Sequence, residues 1–569
     1  MNSPPRLPVV LLWHMHQPQY RDALTGQYVL PWTYLHAIKD YTDMAAHLEA
    51  NPEARAVFNF TPVLLEQIDT LARSVAEHLR SGSALPDPVL ALLGPEPVPD
   101  APAERLASIR ACLRAQRKQM IERFGPYLEL ASIAETLATA ERVSYASDQF
   151  IHDLAVWYHL AWVGETVRRT DPLVSRLTEQ GRGFTAGQRR ELLTLIGSLL
   201  SSVVPRYRRL SERGQCELSV TPYGHPIVPL LFDFRAAREA MPSLPLPQHA
   251  AYPGGAERAE WHVREGLRLF TRSFGVRPAG CWPSEGAISR PTLELLDQAG
   301  FKWVASSANV LHGSLQRAGG QPTQASRDPQ TFNRPYRLPN ASLLQFFRED
   351  TLSDLIGFTY ATWHGDDAAH NLVEALAQLA RQYAGSPGHV VLIALDGENA
   401  WEHYPFNGYY FLRALYSLLA AHPLLELTTL GQCAGRNLAS VTLPQVMAGS
   451  WVHGTLTTWM GDPAKNRAWE LLCEAKLAFD AAVGGRLDPA VRAAAERQLA
   501  LCESSDWFWW FGDYNPAEAV SQFDALYRRQ LSRLYEQLGV PPPANLAQPI
   551  ATGGGSPEHG GVMRRSYAS

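Results

Sequence analysis

The chain contains no run of 18 apolar residues, so nothing in it predicts a membrane span. Residues 1–8 carry Pro4, Pro5 and Pro8 and no charged stretch leading into a long apolar core, so no secretory signal is expected. The six cysteines, Cys112, Cys216, Cys281, Cys433, Cys473 and Cys502, are scattered and form no CxxC pair. That spacing predicts reduced thiols in a cytoplasmic protein rather than a disulfide frame or a zinc site. A formal charge of −5 over 569 residues is close to neutral, which removes the electrostatic case for a nucleic-acid partner. No Gly-rich phosphate loop follows the first predicted strand, as an open dinucleotide-binding sheet would usually require, and no internal repeat is visible.

Length and aromatic content are what the chain does have. At 569 residues it exceeds one ordinary core and is expected to divide into two or three regions. The 15 Trp and 21 Tyr offer faces that stack on sugar rings, although both are also ordinary core residues. Strands are predicted at Pro8–Trp13, Ala56–Phe60, Glu217–Val220, Ala279–Trp282, Trp303–Ser306, Leu343–Phe347, Val390–Leu395 and Leu425–Thr428. Helical patterns such as Ala256–Phe274, Arg290–Ala299 and Asp367–Tyr383 alternate with them, the signature of a parallel sheet, and this many units argue a closed barrel. A helical insertion is expected at about 63–213. The catalytic barrel would then span 1–430 and a C-terminal helical domain 431–540, with helices near Lys465–Phe479, Pro489–Cys502 and Pro516–Leu538. Residues 541–569, rich in Pro, Gly, Ser and Ala, are expected to form a disordered tail.

Chemistry concentrates where the predicted strands end. Glu285, in Cys281-Trp282-Pro283-Ser284-Glu285-Gly286, is either a nucleophile at a barrel rim or a helix N-terminal Glu behind a Ser284 cap. Asp396 and Glu398 follow the most apolar strand. Asp396 is the preferred general acid/base, since flanking apolar residues would raise its pKa by desolvation; a plain Asp-Gly turn is the competing account. Two carboxyl groups facing each other across a bond are what glycoside chemistry needs. His14 and His16 point alike if their strand continues. They could bind sugar hydroxyls or ligate a metal, with His225 as a third member of either set, or sit as satisfied core histidines. Arg348, with Asp354 nearby, could orient a carboxylate or belong to a surface charge cluster. Among the tryptophans Trp459, in a Gly-containing loop, is the preferred ligand contact, ahead of Trp451, Trp507, Trp509 and Trp510.

Taken together these pieces resemble glycoside hydrolase family 57. The resemblance rests on His14-Met15-His16-Gln17-Pro18, Val220-Thr221-Pro222-Tyr223-Gly224-His225-Pro226, Cys281-Trp282-Pro283-Ser284-Glu285-Gly286, Leu395-Asp396-Gly397-Glu398-Asn399 and Trp459-Met460-Gly461-Asp462-Pro463-Ala464-Lys465-Asn466, in that order, over about residues 9–540. It implies a (β/α)7 barrel, an incomplete TIM-like barrel, with a C-terminal helical domain completing the cleft. It also implies a retaining mechanism without metal or other cofactor, with Glu285 as nucleophile and Asp396 as general acid/base, about 5–5.5 Å apart when competent. His14, His16, His225 and Arg348 would line the reacting subsite, with Trp282, Asp354, Glu398, Trp401 and Trp459 as further candidate substrate-binding residues. The motif surroundings look most like the α-amylase and amylopullulanase branch. An α-glucan hydrolase cleaving α-1,4 bonds, with α-1,6 bonds open, is therefore the leading expectation. A 4-α-glucanotransferase or branching enzyme of the same fold is the alternative, followed by a metal-dependent hydrolase or deacetylase.

Overall fold

The computed structural model describes residues 6–137, 139–318, 331–436, 438–485 and 487–555. Among the described residues there are ten strands: β1 Leu7–Met15, β2 Ala56–Phe60, β3 Cys216–Val220, β4 Gly280–Cys281, β5 Trp303–Ser307, β6 Tyr336–Arg337, β7 Leu344–Arg348, β8 Val391–Asp396, β9 Leu425–Thr428 and β10 Val441–Thr442. Seven of them close a parallel barrel in the order β1-β2-β3-β4-β5-β7-β8, with β8 returning to β1 over Val9↔Val391 to His14↔Asp396. β9 pairs with the first half of β1 (Leu7–Val10), on the edge whose second half (Leu12–Met15) pairs with β2. β6 and β10 extend β7 outside the ring.

The strands read as continuous apolar runs because helices cover the outside while side chains fill the inside. Val10 and Leu12 of β1, Val57 of β2, Trp303 and Ala305 of β5, Leu344 and Phe346 of β7, and Leu392 and Ala394 of β8 form one buried cluster, the barrel interior. With a period of two, the same inward rows continue to His14, Asn59, Arg348 and Asp396 at the C-terminal rim. Here the strands run further than expected: β1 reaches Met15, β7 reaches Arg348 and β8 reaches Asp396. Three polar residues expected just after strands are thus fixed by the ladder itself.

Between β2 and β3 the described residues form a series of helices, from Pro62–Ser81 to the long helix Ala186–Glu212, and no strand. The latter helix opens on a capping box between Thr185 and Gln188. After β10 come helices Pro463–Gly484, Pro489–Cys502, Ser505–Trp510 and Ala517–Gln537. Buried Glu503 ties them to the barrel helix Gly255–Phe274 through Arg258 at 2.8 Å and His262 at 2.7 Å, and to the segment before it through the Tyr252 hydroxyl at 2.6 Å. Burial pushes the Glu503 carboxyl up, but Arg258 and His262 outweigh it and hold it down at about 2.

One expectation is corrected at the C-terminus. Residues 541–555 pack against the last helix: Leu546 and Ala551 are buried, and the backbone N–H groups of Ile550 and Ala551 donate to Asp524 at 2.7 and 3.3 Å. Two apolar anchors and one carboxylate suffice to order a segment whose composition suggested disorder. The rest of the expected tail, 556–569, lies outside the described residues.

Candidate active site

The barrel rim opens into a cleft of about 410 Å³ whose wall includes Glu285, Asp396, His14, His16, Arg348, Asp354 and Glu398. The helical insertion adds Arg114 and Trp162, and the C-terminal helices add Asp506, Trp509, Trp510, Glu518 and Phe523.

Glu285 stands on a single tight turn, Ser284–Gly286, with φ +58°. No α-helix begins there and Ser284 makes no cap, so the helix N-terminal account of this residue is not what the chain adopts. A left-handed non-glycine residue is strained and persists only when neighbours hold it. The holding is visible: Trp451 N–H donates to the Glu285 carbonyl at 2.9 Å, and Ile288 and Gly449 exchange two backbone hydrogen bonds. The Trp451 indole N–H then donates to Glu285 Oε2 at 2.8 Å, and Arg348 lies over the Trp451 ring at 5.4 Å. Glu285 is thereby aimed into the cleft as a hydrogen-bonded carboxylate. His225, after β3, is likewise left-handed (φ +57°).

Asp396, the last residue of β8, accepts a hydrogen bond from the Asn399 amide at 2.8 Å. Burial raises its carboxyl to about 6, against the opposing pulls of Asn399, His16 and Arg348. The turn that follows needs glycine: a Cβ on Gly397 would lie 2.2 Å from Met15 Sδ. Glu398 Oε1 accepts from the His16 backbone N–H, the Gln17 amide and the Tyr41 hydroxyl, each at 3.1 Å. Its Oε2 is buried without a partner among the described residues. Burial first, and the neighbouring Asp396 second, push this carboxyl well above the usual range.

The histidines form an ordered chain. Asn59 donates its amide to Ser219 at 3.1 Å, so its oxygen accepts from His14 Nδ1 at 2.6 Å. His14 Nε2 is then an acceptor and takes the proton of His225 Nε2 at 3.3 Å, and His225 Nδ1 accepts from the Ser505 hydroxyl at 2.7 Å. Burial pushes His14 down to about 3 and His225 well below its normal value, so both rings are neutral. His16 stacks on His225 with centroids 3.8 Å apart, and its Nε2 meets Asp506 Oδ1 at 2.9 Å. Ligand atoms of His16, His225 and Asp506 lie within 4.8 Å of one another, the spacing of a metal cluster. The hydrogen-bond chain already engages both ring nitrogens of His225 and the Nε2 of His16.

Arg348 donates to Asp354 at 2.8 Å and both line the cleft. Three tryptophans expected to touch ligand are placed otherwise. Trp459 is fully buried and packs on Trp509. Trp401 is buried against Trp13 and donates to the Gly397 carbonyl at 2.8 Å, bracing the acid loop from behind. Trp282 lies behind the wall, 5.1 Å from Trp451 between ring centroids. The tryptophans on the wall are Trp32, Trp162, Trp451, Trp509 and Trp510. Asp506 and Ser505 have no sequence signal of their own beyond the neighbouring Trp507, Trp509 and Trp510; Trp32, Trp162 and Arg114 carry no local signal.

A parallel (β/α) barrel whose rim cleft carries two carboxyl groups, Glu285 and Asp396, has the arrangement that paired-carboxylate chemistry uses. The chain belongs to glycosyl hydrolase family 57, whose model matches residues 10–444. No curated protein sequence matches it. Among solved structures it is similar to a GH57-type branching enzyme from Pyrococcus horikoshii, 15% identical, TM-score 0.58, covering 99% of each chain. It is also similar to a GH57 branching enzyme from Thermococcus kodakaraensis (14%, TM-score 0.58, 93% of this chain and 90% of that one). A third is an α-amylase from Thermotoga maritima (14%, TM-score 0.55, 94% of each). At such identities the likeness establishes the fold.

Proposed function

We propose that this protein is a retaining α-glucan enzyme that cleaves α-1,4-glucosidic bonds by double displacement. The observation that carries the reading is the unlike surroundings of Glu285 and Asp396 on one cleft: an indole N–H donates to the first, and burial raises the second to about 6. Glu285 attacks the anomeric carbon while the bond to the leaving glycosyl oxygen breaks, and Asp396 gives that oxygen its proton. The product is a β-glycosyl-enzyme. Asp396, now a carboxylate, takes the proton of water or of an acceptor hydroxyl as its oxygen displaces Glu285. His14, held neutral between Asn59 and His225, offers the cleft its ring face, and Arg348 orients Asp354. Glu398, whose Oε1 is tied to His16, Gln17 and Tyr41, holds the loop after Asp396 in place. Seven carboxyl groups against two guanidinium groups on the wall favour an uncharged sugar over a phosphorylated one.

Glycosyl transfer is the second reading, and a specific feature favours it. Trp32 and Trp162, with ring centroids 5.7 Å apart, and Trp510 and Phe523, stacked at 4.9 Å, line the cleft together with Trp509 and form an aromatic arm suited to hold an acceptor sugar in place of water. The names of the similar structures span both activities. A division into a barrel of about 1–430 and helices of about 431–540 fits this scheme, since Asp506 completes the wall from the second part. All six cysteines are buried and unpaired, which supports a reducing, cytoplasmic setting. No helix among the described residues is long and apolar enough to cross a membrane.

The test is the product profile on maltoheptaose, glycogen and pullulan, run beside Glu285→Gln. Short reducing sugars from the wild type alone would establish a hydrolase, and longer oligosaccharides or new branches a transferase. No change in any of the three would overturn the α-glucan reading.

A further inference from the structure

The helical insertion contributes Arg114 and Trp162 to the cleft wall and the C-terminal helices contribute Trp509, Trp510, Glu518 and Phe523, and among these wall residues one ion pair joins the two parts. Arg114, three residues past the helix Pro102–Ala111, donates from Nη2 to Glu518 Oε1 at 2.8 Å across 404 residues of sequence. Glu518 lies in the first turn of the 21-residue helix Ala517–Gln537, where the helix dipole favours a carboxylate, and Gln522 donates to the same oxygen at 3.4 Å. All three residues lie on the cleft wall. The Arg114 and Glu518 side chains are 28% and 74% exposed, so water competes for the pair and it opens at little cost. A contact that is weak, joins two separately built walls and touches neither carboxyl of the proposed reaction is poorly suited to holding the fold. It is well placed to decide how far a sugar chain extends.

We propose that Arg114 and Glu518 form a strap across the aromatic arm that determines specificity for glucan length, favouring short segments while the pair is closed. The proposal rests on the α-glucan reading above. Opening the strap lets longer segments run past the rim, so it acts on discrimination between chain lengths and not on bond cleavage. The experiment uses the full chain with Glu518→Gln, Arg114→Gln and the reversed pair Arg114→Glu/Glu518→Arg. It measures kcat/KM on maltotriose and on a long-chain amylose, together with product lengths. An exposed ion pair contributes at most a severalfold effect, so each single variant is expected to raise the long-to-short ratio about threefold and to lengthen the products. The reversed pair should return the ratio toward wild type. Salt should raise the wild-type ratio and leave the single variants unmoved, because only the intact pair is screened, a response that a general packing defect does not produce. An unmoved ratio in active variants overturns the strap, as does a fall, which would make these residues sugar contacts instead. A wild type inactive on every glucan overturns the function reading, and the strap with it.

Discussion

Replacing Asp396 with Asn is expected to stabilise the protein while inactivating it. Burial lifts this carboxyl from its ordinary 3.8 to about 6. Between those values the folded protein holds a proton that the unfolded chain has released, so stability falls as pH rises through that window and stays lowered above it. A shift of about two units corresponds to about 3 kcal/mol at 1.36 kcal/mol per unit, an upper bound. Because the carboxyl opens on the cleft, solvent screening leaves about 1–3 kcal/mol. Asn has the same shape and keeps an oxygen for the Asn399 amide, which now sits 2.8 Å from Asp396 Oδ2. Urea unfolding followed by tryptophan fluorescence should show the variant more stable than wild type by that amount at pH 8. At pH 4.5 the gap should close to under about 1 kcal/mol. Activity follows the same proton: wild-type kcat/KM should decline above about pH 6 as Asp396 ionises, and the variant should lose natural glucans far more than activated aryl glucosides. An Asn variant no more stable than wild type at pH 8, or one equally favoured at both pH values, would refute the account of Asp396 as a desolvated acid.

Other substitutions probe the supports around the carboxyl pair. Trp451→Phe keeps the ring beneath Arg348 but removes the N–H that meets Glu285 at 2.8 Å; loss of a bond to a charged group predicts a drop of about 10- to 100-fold in kcat/KM on maltoheptaose, and a change under threefold would count against the bond. Glu503→Gln leaves Arg258 buried without its anion, and breaking such a pair is expected to destabilise by about 3–5 kcal/mol in urea unfolding. In the wild type the Glu503 contribution is complete above the ordinary carboxylate range and is lost as pH falls through about 2. Activity is expected to survive EDTA; loss that a divalent ion restores would turn attention to His16, His225 and Asp506 as ligands.

The strand motifs were legible because they depend on local pattern. Apolar runs of strand length predicted Ala56–Phe60 and Leu425–Thr428 with their bounds, and helical periodicity did the same for Pro489–Cys502. Polar residues at the run ends marked the rim, since the inward row of a barrel strand must turn polar where it meets the cleft. Glu285, Asp396, His14, His16, Arg348 and Glu398 could therefore be named from the chain alone and do share one wall. The choice among tryptophans was not legible. Trp451 and Trp459 stand eight residues apart in similar company, and only the antiparallel bridge between Ile288 and Gly449 brings Trp451 over Glu285 while Trp459 turns into the core.

What the sequence by itself determined is the order of strands and helices, the family and the reactive residue types, because these are written in short-range periodicity and motif spacing. Only the tertiary structure decided which side chains meet. The partnership of His14 with His225, 211 residues away, and of His16 with Asp506, 490 away, depends on how closure of the barrel and docking of the C-terminal helices bring distant segments together. The raised pKa of Asp396 depends on how much water that packing leaves beside it. Burial is a property of the assembled neighbours, and no single segment carries it.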